Sequence, residues 1–369
     1  MNITIEAHVL NHHKRSGLMT YTEGLVYGMN QVDHENQYSL LYYSLNRKPA
    51  NMPGPEGINF RKIVLRVPDR GFTGRQKLID SVVLPMFFKN NKVSVFHRTC
   101  GYTMPRTKKV YRILTIHDLR TLTIGDNLWQ QNIKDYIKTI ADLDMCVVVS
   151  ECTKRDLMKY LKVPEKKIKV IYLGTDSRFK PASKEQIQTV HQKYGLREPF
   201  LFSIGSVPRK NIDGIIRGFA QSKITKNYQL VLSCRNDLDK YQQLTKDLNI
   251  EGRIIFLPHT EDEETVALYG SCHAFVFPSL YEGFGLPILE AMQCGAPVIT
   301  SNVSSCPEVA GNAAILVDPS KTEEIAEAIN QICTNTILRQ DLIQKGFQRV
   351  KLFSWDNCAQ EIRKVYITA

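Results

Sequence analysis

Short apolar runs alternate with longer amphipathic segments along the chain, and this alternation predicts its secondary structure. In the first half, apolar runs such as NITIEAHVL, KVSVFH, VYRILTIHDL and DMCVVVS are each followed by a longer amphipathic stretch. Nearly continuous apolar runs of this length are typical of strands that are buried on both faces of a parallel sheet. The pattern therefore predicts an α/β fold in which helices cover parallel strands.

A second series of the same kind begins after the polar segment SRFKPASKE, with the runs FLFSIGS, YQLVLSC, RIIFLP, AFVFPS, APVIT and AAILVD. A chain of 369 residues is also long enough for roughly two domains, with a cleft expected between them. We predict an N-terminal Rossmann-like domain over 1–177 and a C-terminal one over 178–352. A terminal helix over 353–369 is expected to cross back to the first domain.

Composition indicates a folded protein outside the secreted and membrane-spanning classes, since 43% of the residues are hydrophobic and 23% are charged. No apolar run reaches the length of about 18 residues that a membrane span needs. The N-terminus lacks the pattern of a signal peptide. The nine cysteines form no C-x-x-C pair and are odd in number, which favours reduced thiols and a cytoplasmic location.

The net charge of +11 lies in the first half, where residues 1–177 carry 27 Lys and Arg against 16 Asp and Glu, while residues 178–369 carry 21 of each. This asymmetry leaves three possibilities open: an anionic membrane surface, a nucleic acid, or no partner at all. The basic residues that cluster in sequence are Arg106, Lys108, Lys109 and Arg112. The segment 77–88 could lie on a membrane, but Pro85 and the strand that follows favour a helix packed on the sheet. No recognition helix or aromatic platform is evident, so we expect no nucleic-acid partner.

Polar residues that directly follow a buried strand are the first candidates for chemistry, because ligands bind at the carboxyl ends of parallel strands. In FVFPSLYEGFGLPILEAM, Glu282 and Glu290 flank a glycine-containing loop that leads into a helix. The free N–H groups at a helix start favour an anion, and Glu290 is expected in the first helical turn, where it can bind a ribose. Neither glutamate has a cation beside it in sequence, so both are expected to bind hydroxyl groups.

Two further strand ends carry candidate groups. Arg209 and Lys210 follow the strand FLFSIGS and precede a helix, an arrangement that suits a diphosphate. His117 and Asp118 end the strand RILTI, where a histidine can bind a sugar hydroxyl or accept its proton, with a satisfied structural histidine as the alternative.

Two loops of the first half offer small or capping residues. The loop after the first strand has a single glycine, so a dinucleotide fingerprint is unsupported, but Ser16 and Gly17 leave room for a substrate. In VVVSECTKRDL we interpret Ser150 as a helix N-cap with Thr153 behind it. The sequence has no P-loop, G-x-S-x-G or H-E-x-x-H motif, and we propose no metal site.

With these motifs in hand, the chain resembles the retaining glycosyltransferases of family 4, which have the two-domain GT-B fold. The most specific feature is the E-x7-E motif from Glu282 to Glu290 in SLYEGFGLPILEAMQCGAPVI, followed by SSCPEVAGNAAILVDP. The segments TIHDL, VVVSECTKRDL, KVIYLGTD and GSVPRKN support it and occur in the order that the family shows. The first loop departs from the pattern, because Ser16 stands where many members have a second glycine.

The resemblance implies roles for individual residues. Glu282 would contact hydroxyls of the donor sugar and Glu290 the nucleotide ribose. Arg209 and Lys210 would hold the diphosphate and stabilise it as it leaves. The other residues implied on the donor side are Gly205, Ser206, Gly283, Phe284, Gly285 and Leu286. His117 would contact the donor sugar near the acceptor, and Ser16, Gly17 and Asp118 would lie on the acceptor side.

The resemblance also implies the reaction: transfer of a hexose from a nucleotide sugar to an acceptor hydroxyl, with the anomeric configuration retained and without a metal or other cofactor. Similarity to bacterial mannosyltransferases of surface polysaccharide and lipopolysaccharide assembly favours GDP-mannose as the donor, and a glycan or lipid-linked glycan as the acceptor. Such an enzyme is expected in the cytoplasm, with its basic first half against the inner face of the membrane. The alternatives are a nucleotide-sugar epimerase, a phosphorylase-like enzyme of the same fold, or a non-catalytic binding protein.

Overall fold

The computed structural model describes residues 1–12, 15–67, 74–105, 107, 109–124, 133–197, 199–257 and 260–369. These residues form two compact units. Unit 1 comprises Met1–Gly174 together with Phe353–Ala369, and unit 2 comprises Thr175–Leu352. Unit 1 ends at Gly174, close to the predicted domain boundary at residue 177.

In the described residues, unit 1 contains a seven-stranded sheet in the order β3-β2-β1-β4-β5-β6-β7. The strands are β1 (Asn2–Glu6), β2 (Gln37–Tyr43), β3 (Phe60–Leu65), β4 (Val95–Arg98), β5 (Tyr111–Ile116), β6 (Met145–Val148) and β7 (Ile168–Val170). All their pairings are parallel, as the continuous apolar runs predicted. From β1 the chain first adds β2 and β3 on one side and then β4 to β7 on the other side, so the strand order reverses between β1 and β4.

The helices of unit 1 cover this sheet: α1 (Gly17–Val32), α2 (Arg75–Leu78), α3 (Leu84–Asn90), α4 (Arg120–Thr123), α5 (Ile133–Ala141), α6 (Glu151–Leu161) and α15 (Trp355–Ile367). A π-helical turn, Ile79–Val83, joins α2 to α3, so the segment 77–88 is helical as predicted. It buries Leu84, Phe87 and Phe88 in the core of the unit.

The last helix of the chain, α15, belongs to unit 1 and packs along α1. Its residues Ile362 and Tyr366 are fully buried. Arg363 adds an ion pair in which its Nε lies 3.1 Å from Oδ2 of Asp33, the residue that follows α1. The C-terminal helix therefore returns to the N-terminal unit.

Unit 2 has a six-stranded parallel sheet in its described residues, in the order β10-β9-β8-β11-β12-β13. Its strands are β8 (Phe200–Ile204), β9 (Gln229–Ser233), β10 (Ile254–Leu257), β11 (Ala274–Phe277), β12 (Val298–Ser301) and β13 (Ala314–Val317). Its helices are α7 (Lys184–Tyr194), α8 (Ile212–Gln221), α9 (Leu238–Asp247), α10 (Asp262–Ser271), α11 (Leu286–Gln293), α12 (Cys306–Ala310), α13 (Thr322–Thr334) and α14 (Thr336–Val350). Each unit is thus a Rossmann-like layer of helices on a parallel sheet, which confirms the predicted fold class.

Two further sequence predictions can be compared with the structure. All nine cysteines lie within the described ranges, and each is a free thiol, as predicted. Among the described helices, none combines the length and the apolar character that crossing a bilayer would require.

Candidate active site

The candidate site of unit 2 lies between β8 and β11, where the order in which the chain adds strands to the sheet reverses. The strands β8 and β11 are neighbours, and from them the chain continues toward opposite edges of the sheet. Such a switch point opens a crevice beyond the carboxyl ends of the two strands, the usual ligand position in open α/β sheets. The loop from β8 to α8 carries Arg209 and Lys210, and the loop from β11 to α11 carries Glu282.

The structure brings Glu282, Arg209 and Lys210 together. One carboxylate oxygen of Glu282 lies 2.7 Å from Nη1 of Arg209, and the other lies 2.7 Å from Nζ of Lys210. The expectation that Glu282 lacks a cationic partner is therefore wrong, because adjacent strands place two cations beside it that are distant in sequence. Burial alone raises the pKa of Glu282, but the charges of Lys210 and Arg209 outweigh burial and hold the pKa below its ordinary value.

Lys210 is fixed on three sides. Its ammonium group lies 4.3 Å from the centre of the Phe277 ring, in addition to its bond to Glu282. Its stem crosses Gly205, where an added Cβ would lie 2.5 Å from the Cβ of Lys210. Gly205 is therefore needed for this close approach. Burial lowers the pKa of Lys210, and the charge of Glu282 offsets only part of that effect.

Arg209 is held against the opposite loop as well. Its Nη1 donates to the carbonyl oxygen of Tyr281 at 3.0 Å, and its own carbonyl accepts from the N–H of Leu280 at 2.8 Å. The Nε of Arg209 is buried and has no partner among the described residues. The two loops thus form one connected surface with an unused donor.

Sequence reasoning missed the residues that hold the Glu282 loop. The hydroxyl of Ser304 accepts from the N–H of Glu282 at 3.0 Å, and it lies 2.5 Å from the carbonyl oxygen of the same residue. The hydroxyl of Ser305 donates to the carbonyl oxygen of Phe284 at 2.7 Å and also lies 3.0 Å from that of Glu282. Asn211 donates to the carbonyl oxygen of Pro278 at 3.1 Å. The two serines stand in SSCPEVAG, so this motif could have been tested as a support for the loop.

The other predicted donor residues line the same loops. Gly285 has a φ of 106° and is the N-cap of α11, a backbone conformation that favours glycine. Phe284 is buried, whereas Gly283 and Leu286 are partly exposed. Ser206 follows β8, and its hydroxyl accepts from the N–H of Arg235 at 3.0 Å.

Glu290 lies on α11 in a different environment. It is the fifth residue of the helix, one position past the expected first turn, because the helix begins at Leu286, one residue before Pro287. A carboxylate oxygen lies 3.5 Å from the hydroxyl of Tyr269, and the described residues place no cation in an ion pair with it. Burial, reinforced by the charge of Asp262, raises the pKa of Glu290 to about 7.

In unit 1, His117 directly follows β5 and is held by backbone and ring contacts. Its Nε2 donates to the carbonyl oxygen of Thr99 at 2.8 Å, and its ring packs in a T-shaped arrangement with the ring of Tyr21, with 4.8 Å between ring centres. Burial lowers the pKa of His117, so the neutral ring dominates near neutral pH. The carboxylate of Asp118 accepts from the N–H of Arg120 at 3.3 Å.

The small residues of the first loop begin α1. Ser16 is the N-cap, and its hydroxyl accepts from the N–H of Met19 at 3.3 Å. Apart from its chain neighbours and its own helix, the described residues place no atom within 4 Å of a Cβ added to Gly17, so they leave the space beside it open. Ser150 caps α6 and accepts from the N–H of Thr153 at 3.1 Å, which confirms its predicted structural role.

The structure describes two of the four residues of the predicted basic cluster, Lys109 and Arg112. Arg106 and Lys108 lie outside the described residues. Arg112 is only 7% exposed and pairs with Asp142 and Asp144 at 2.8 and 3.1 Å, so it offers no free charge to a surface. Lys109 is exposed.

Comparison with known proteins identifies the two halves of the chain. Residues 17–179 match the model described as Glycosyltransferase Family 4, and residues 183–349 match that described as Glycosyl transferases group 1. The O-antigen chain mannosyltransferase B of Escherichia coli is 31% identical over 288 residues, which cover 75% of this chain and 75% of that protein. The serotype-specific mannosyltransferase WbdA of Escherichia coli is 28% identical over 67% of this chain, which spans 32% of that longer protein. Sucrose-phosphate synthase from Thermosynechococcus elongatus superposes with a TM-score of 0.78 at 20% identity, over 100% of this chain and 98% of that one, and shows the shared GT-B fold.

Proposed function

The chain belongs to glycosyltransferase family 4, and from this premise we propose that it transfers mannose from GDP-mannose to a hydroxyl of a glycan or lipid-linked glycan, with retention of the anomeric configuration. Glycosyl transfer is what the family establishes. The donor, the acceptor and the stereochemistry are the proposal. Two relatives, both mannosyltransferases and one of them acting on O-antigen chains, support mannose and a polysaccharide acceptor.

The observation that carries the proposal is the cluster of Arg209, Lys210 and Glu282 at the switch point of unit 2. When the donor binds, its diphosphate takes the place of the Glu282 carboxylate as partner of the two cations. Each charge-assisted hydrogen bond contributes roughly 1.5 to 3 kcal/mol, enough for a diphosphate to compete with one carboxylate. The exchange frees the carboxylate oxygens of Glu282 to accept hydrogen bonds from hydroxyls of the sugar.

The chemical step then follows from these positions. The bond between the anomeric carbon and the phosphate oxygen breaks, and the acceptor oxygen bonds to the same face of that carbon. The proton of the acceptor hydroxyl moves to the departing phosphate oxygen. Negative charge grows on the leaving nucleoside diphosphate, and Arg209 and Lys210 stabilise it there. No residue acts as a covalent nucleophile in this scheme.

The remaining predicted residues keep supporting roles in the proposal. Glu290 accepts hydrogen bonds from the ribose in its ionised form. His117 contacts the donor sugar near the acceptor, and the open space beside Gly17 receives part of the acceptor.

A panel of nucleotide sugars tests the proposal directly. We expect GDP-mannose to raise the melting temperature of the protein more than UDP- or dTDP-sugars do. With a mannan-type acceptor, NMR of the product should show the anomeric configuration of the donor. A product of inverted configuration would rule out the retaining mechanism, and stabilisation by another nucleotide sugar alone would rule out the donor.

Unit 1 also supports a peripheral contact with an anionic membrane, which completes the proposal for a lipid-linked acceptor. On the helical segment from α2 to α3, Val82 and Met86 are 46% and 61% exposed, and the exposed Lys77 and Lys89 lie on the same segment. Apolar and basic side chains exposed together suit the surface of an anionic bilayer.

Vesicle sedimentation tests this contact. Vesicles of phosphatidylglycerol and phosphatidylcholine should bind the protein at low salt, and the Val82→Ser, Met86→Ser double variant should bind several-fold less. The matched control replaces Ile337 and Leu352, which are exposed apolar residues of unit 2, by serine. Equal loss in both double variants would exclude a specific membrane face on unit 1.

A further inference from the structure

A buried chain of polar side chains runs through unit 1 from the C-terminal helix to α1. The hydroxyl of Tyr366 lies 2.6 Å from Nδ1 of His97, whose Nε2 lies 2.7 Å from Oγ1 of Thr115. Oγ1 of Thr115 in turn lies 2.7 Å from the hydroxyl of Tyr21. These four residues come from α15, β4, β5 and α1 respectively. The chain therefore links four elements of unit 1 by hydrogen bonds.

The chain is fully shielded from solvent and carries no charge. All four side chains are at most 2% exposed. Burial lowers the pKa of His97 to about 3, so its ring is neutral at any working pH. A neutral imidazole donates through one nitrogen and accepts through the other, so Tyr366 and Thr115 have opposite roles in their bonds to His97. The proposed reaction uses none of these groups.

At its α1 end the chain reaches His117. The ring of Tyr21 meets the imidazole of His117 nearly at a right angle, with an interplanar angle of 81°. The imidazole is therefore fixed on one side by Tyr21 and at Nε2 by the carbonyl of Thr99. With one hydrogen bond the imidazole can still move about its side-chain torsions, and the Tyr21 ring packed against it at 4.8 Å between ring centres limits this motion.

We propose that Tyr21 is a positioning residue for His117, and that the hydrogen-bonded chain through Thr115 and His97 to Tyr366 anchors Tyr21 for this purpose. The inference rests on the proposed role of His117 in contacting the donor sugar. It assigns the C-terminal helix a part in turnover through Tyr366, in addition to its part in stability.

The experiment compares Tyr21→Phe with Tyr42→Phe. Both hydroxyls are buried and hydrogen-bonded within unit 1. That of Tyr42 donates to the carbonyl of Pro53, which is not one of the four hydrogen-bonded residues described above. Tyr21→Phe should lower kcat about tenfold, as expected for one lost hydrogen bond expressed in the transition state, and leave the KM of the donor unchanged. Tyr42→Phe should lower the melting temperature about as much as Tyr21→Phe does, but it should leave kcat within about twofold of the wild type.

Thr115→Val breaks the same anchor from its other end. It should reduce kcat as Tyr21→Phe does, and the double variant should be no slower than either single variant, because both remove one link. Tyr366→Phe should give the same kind of loss to a smaller extent. If the losses of kcat in Tyr21→Phe and Thr115→Val were fully additive in free energy, the two residues would not act through one hydrogen-bonded chain.

A readout independent of activity separates this inference from the proposed function. Histidine ring signals in NMR, with His117 assigned through its loss in His117→Gln, should shift in Tyr21→Phe and Tyr366→Phe but stay in place in Tyr42→Phe. The groups that face His117 are Tyr21, His97 and Asp118, so each variant is compared at one fixed pH. If His117→Gln keeps full activity, the role of His117 fails, while the NMR shifts still decide the positioning. If Tyr21→Phe leaves both kcat and the His117 signals unchanged, the positioning role is wrong.

Discussion

The loop that carries Glu282 and the helix that carries Glu290 give the same residue type opposite electrostatic surroundings. Glu282 lies 2.7 Å from each of two cations, which hold its pKa below the ordinary value despite burial. Glu290 has the Tyr269 hydroxyl at 3.5 Å, and burial raises its pKa to about 7. The first is ionised throughout the physiological range, whereas the second gains and loses its proton within that range.

The difference comes from which elements each residue faces. The loop after β11 faces the loop after β8, where Arg209 and Lys210 lie, while α11 packs against α10, which begins with the acidic Asp262. The two ends of the proposed donor site should therefore respond to different perturbations. Removing cations acts chiefly at the diphosphate end, although the charge of Lys210 also lowers the pKa of Glu290, and changing pH acts at the ribose end.

The largest expected effect comes from removing both cations. Arg209→Gln with Lys210→Gln should weaken GDP binding by at least about 100-fold, because two charge-assisted contacts of roughly 1.5 to 3 kcal/mol each are lost. Calorimetry with GDP measures this. The matched control is Arg217→Gln with Lys240→Gln, since these cations flank Asp213 at 2.7 and 3.9 Å on the surface of the same unit. Unchanged GDP affinity in the first double variant would remove the two cations from the donor site.

Glu282→Gln should lower kcat between about 10-fold and about 100-fold, the range expected when hydrogen bonds to a charged acceptor are lost in the transition state. The same variant should bind GDP more tightly than the wild type, because the cations no longer pair with the carboxylate. Steady-state kinetics and calorimetry measure the two effects, and Asp213→Asn serves as the control. A parallel loss of kcat and GDP affinity would mean that Glu282 organises the cations and does not compete with the diphosphate.

The pH dependence of donor binding sharpens the contrast at Glu290. The ionised carboxylate accepts from the ribose hydroxyls with two charged oxygens, whereas protonation removes the charge and turns one oxygen into a donor, so GDP binding by the wild type should strengthen up to about tenfold from about pH 6 to about pH 8. Glu290→Gln should flatten this profile. Calorimetry at several pH values measures it, and a profile that Glu290→Gln leaves unchanged would assign the titration to another group.

The effect of Glu290 on stability has the opposite sign. Its pKa rises from 4.5 to about 7 in the folded state, so the folded protein binds this proton more tightly than the unfolded chain does. The stabilisation is complete below the unfolded pKa and is lost as pH rises through about 7. The melting temperature of Glu290→Gln should therefore fall less than that of the wild type between about pH 5 and about pH 8.

The sequence predicted the local features of this site well, because they depend on short-range physics. The alternation of apolar runs and helices predicted two parallel sheets, and the residues after β8, β11 and β5 were correctly identified as following strands. Ser150 was correctly interpreted as a helix cap, since capping involves residues three positions apart.

Contacts between segments that are far apart along the chain could not be predicted from the sequence pattern. Lys210 and Glu282 are 72 positions apart, and they meet only because β8 and β11 are neighbours in the sheet. No local pattern sets that strand order. The position of Glu290 in α11 depended on where Gly285, with its φ of 106°, allows the helix to begin, and a single residue type does not fix such a boundary.

The smallest expected effect lies in the support of the Glu282 loop. Ser305→Ala removes the donor to the Phe284 carbonyl, whereas the Glu282 carbonyl keeps Ser304 as a partner. One lost hydrogen bond of about 1 kcal/mol should lower kcat only a few-fold. The pH profile of GDP binding should not change, because the hydrogen-bond partner of Glu290 is the Tyr269 hydroxyl of α10 and not a residue of this loop. Ser320→Ala, which removes a surface hydroxyl bonded to Asp318, is the control. A change in the pH profile of Ser305→Ala would show that the loop and the helix respond as one element.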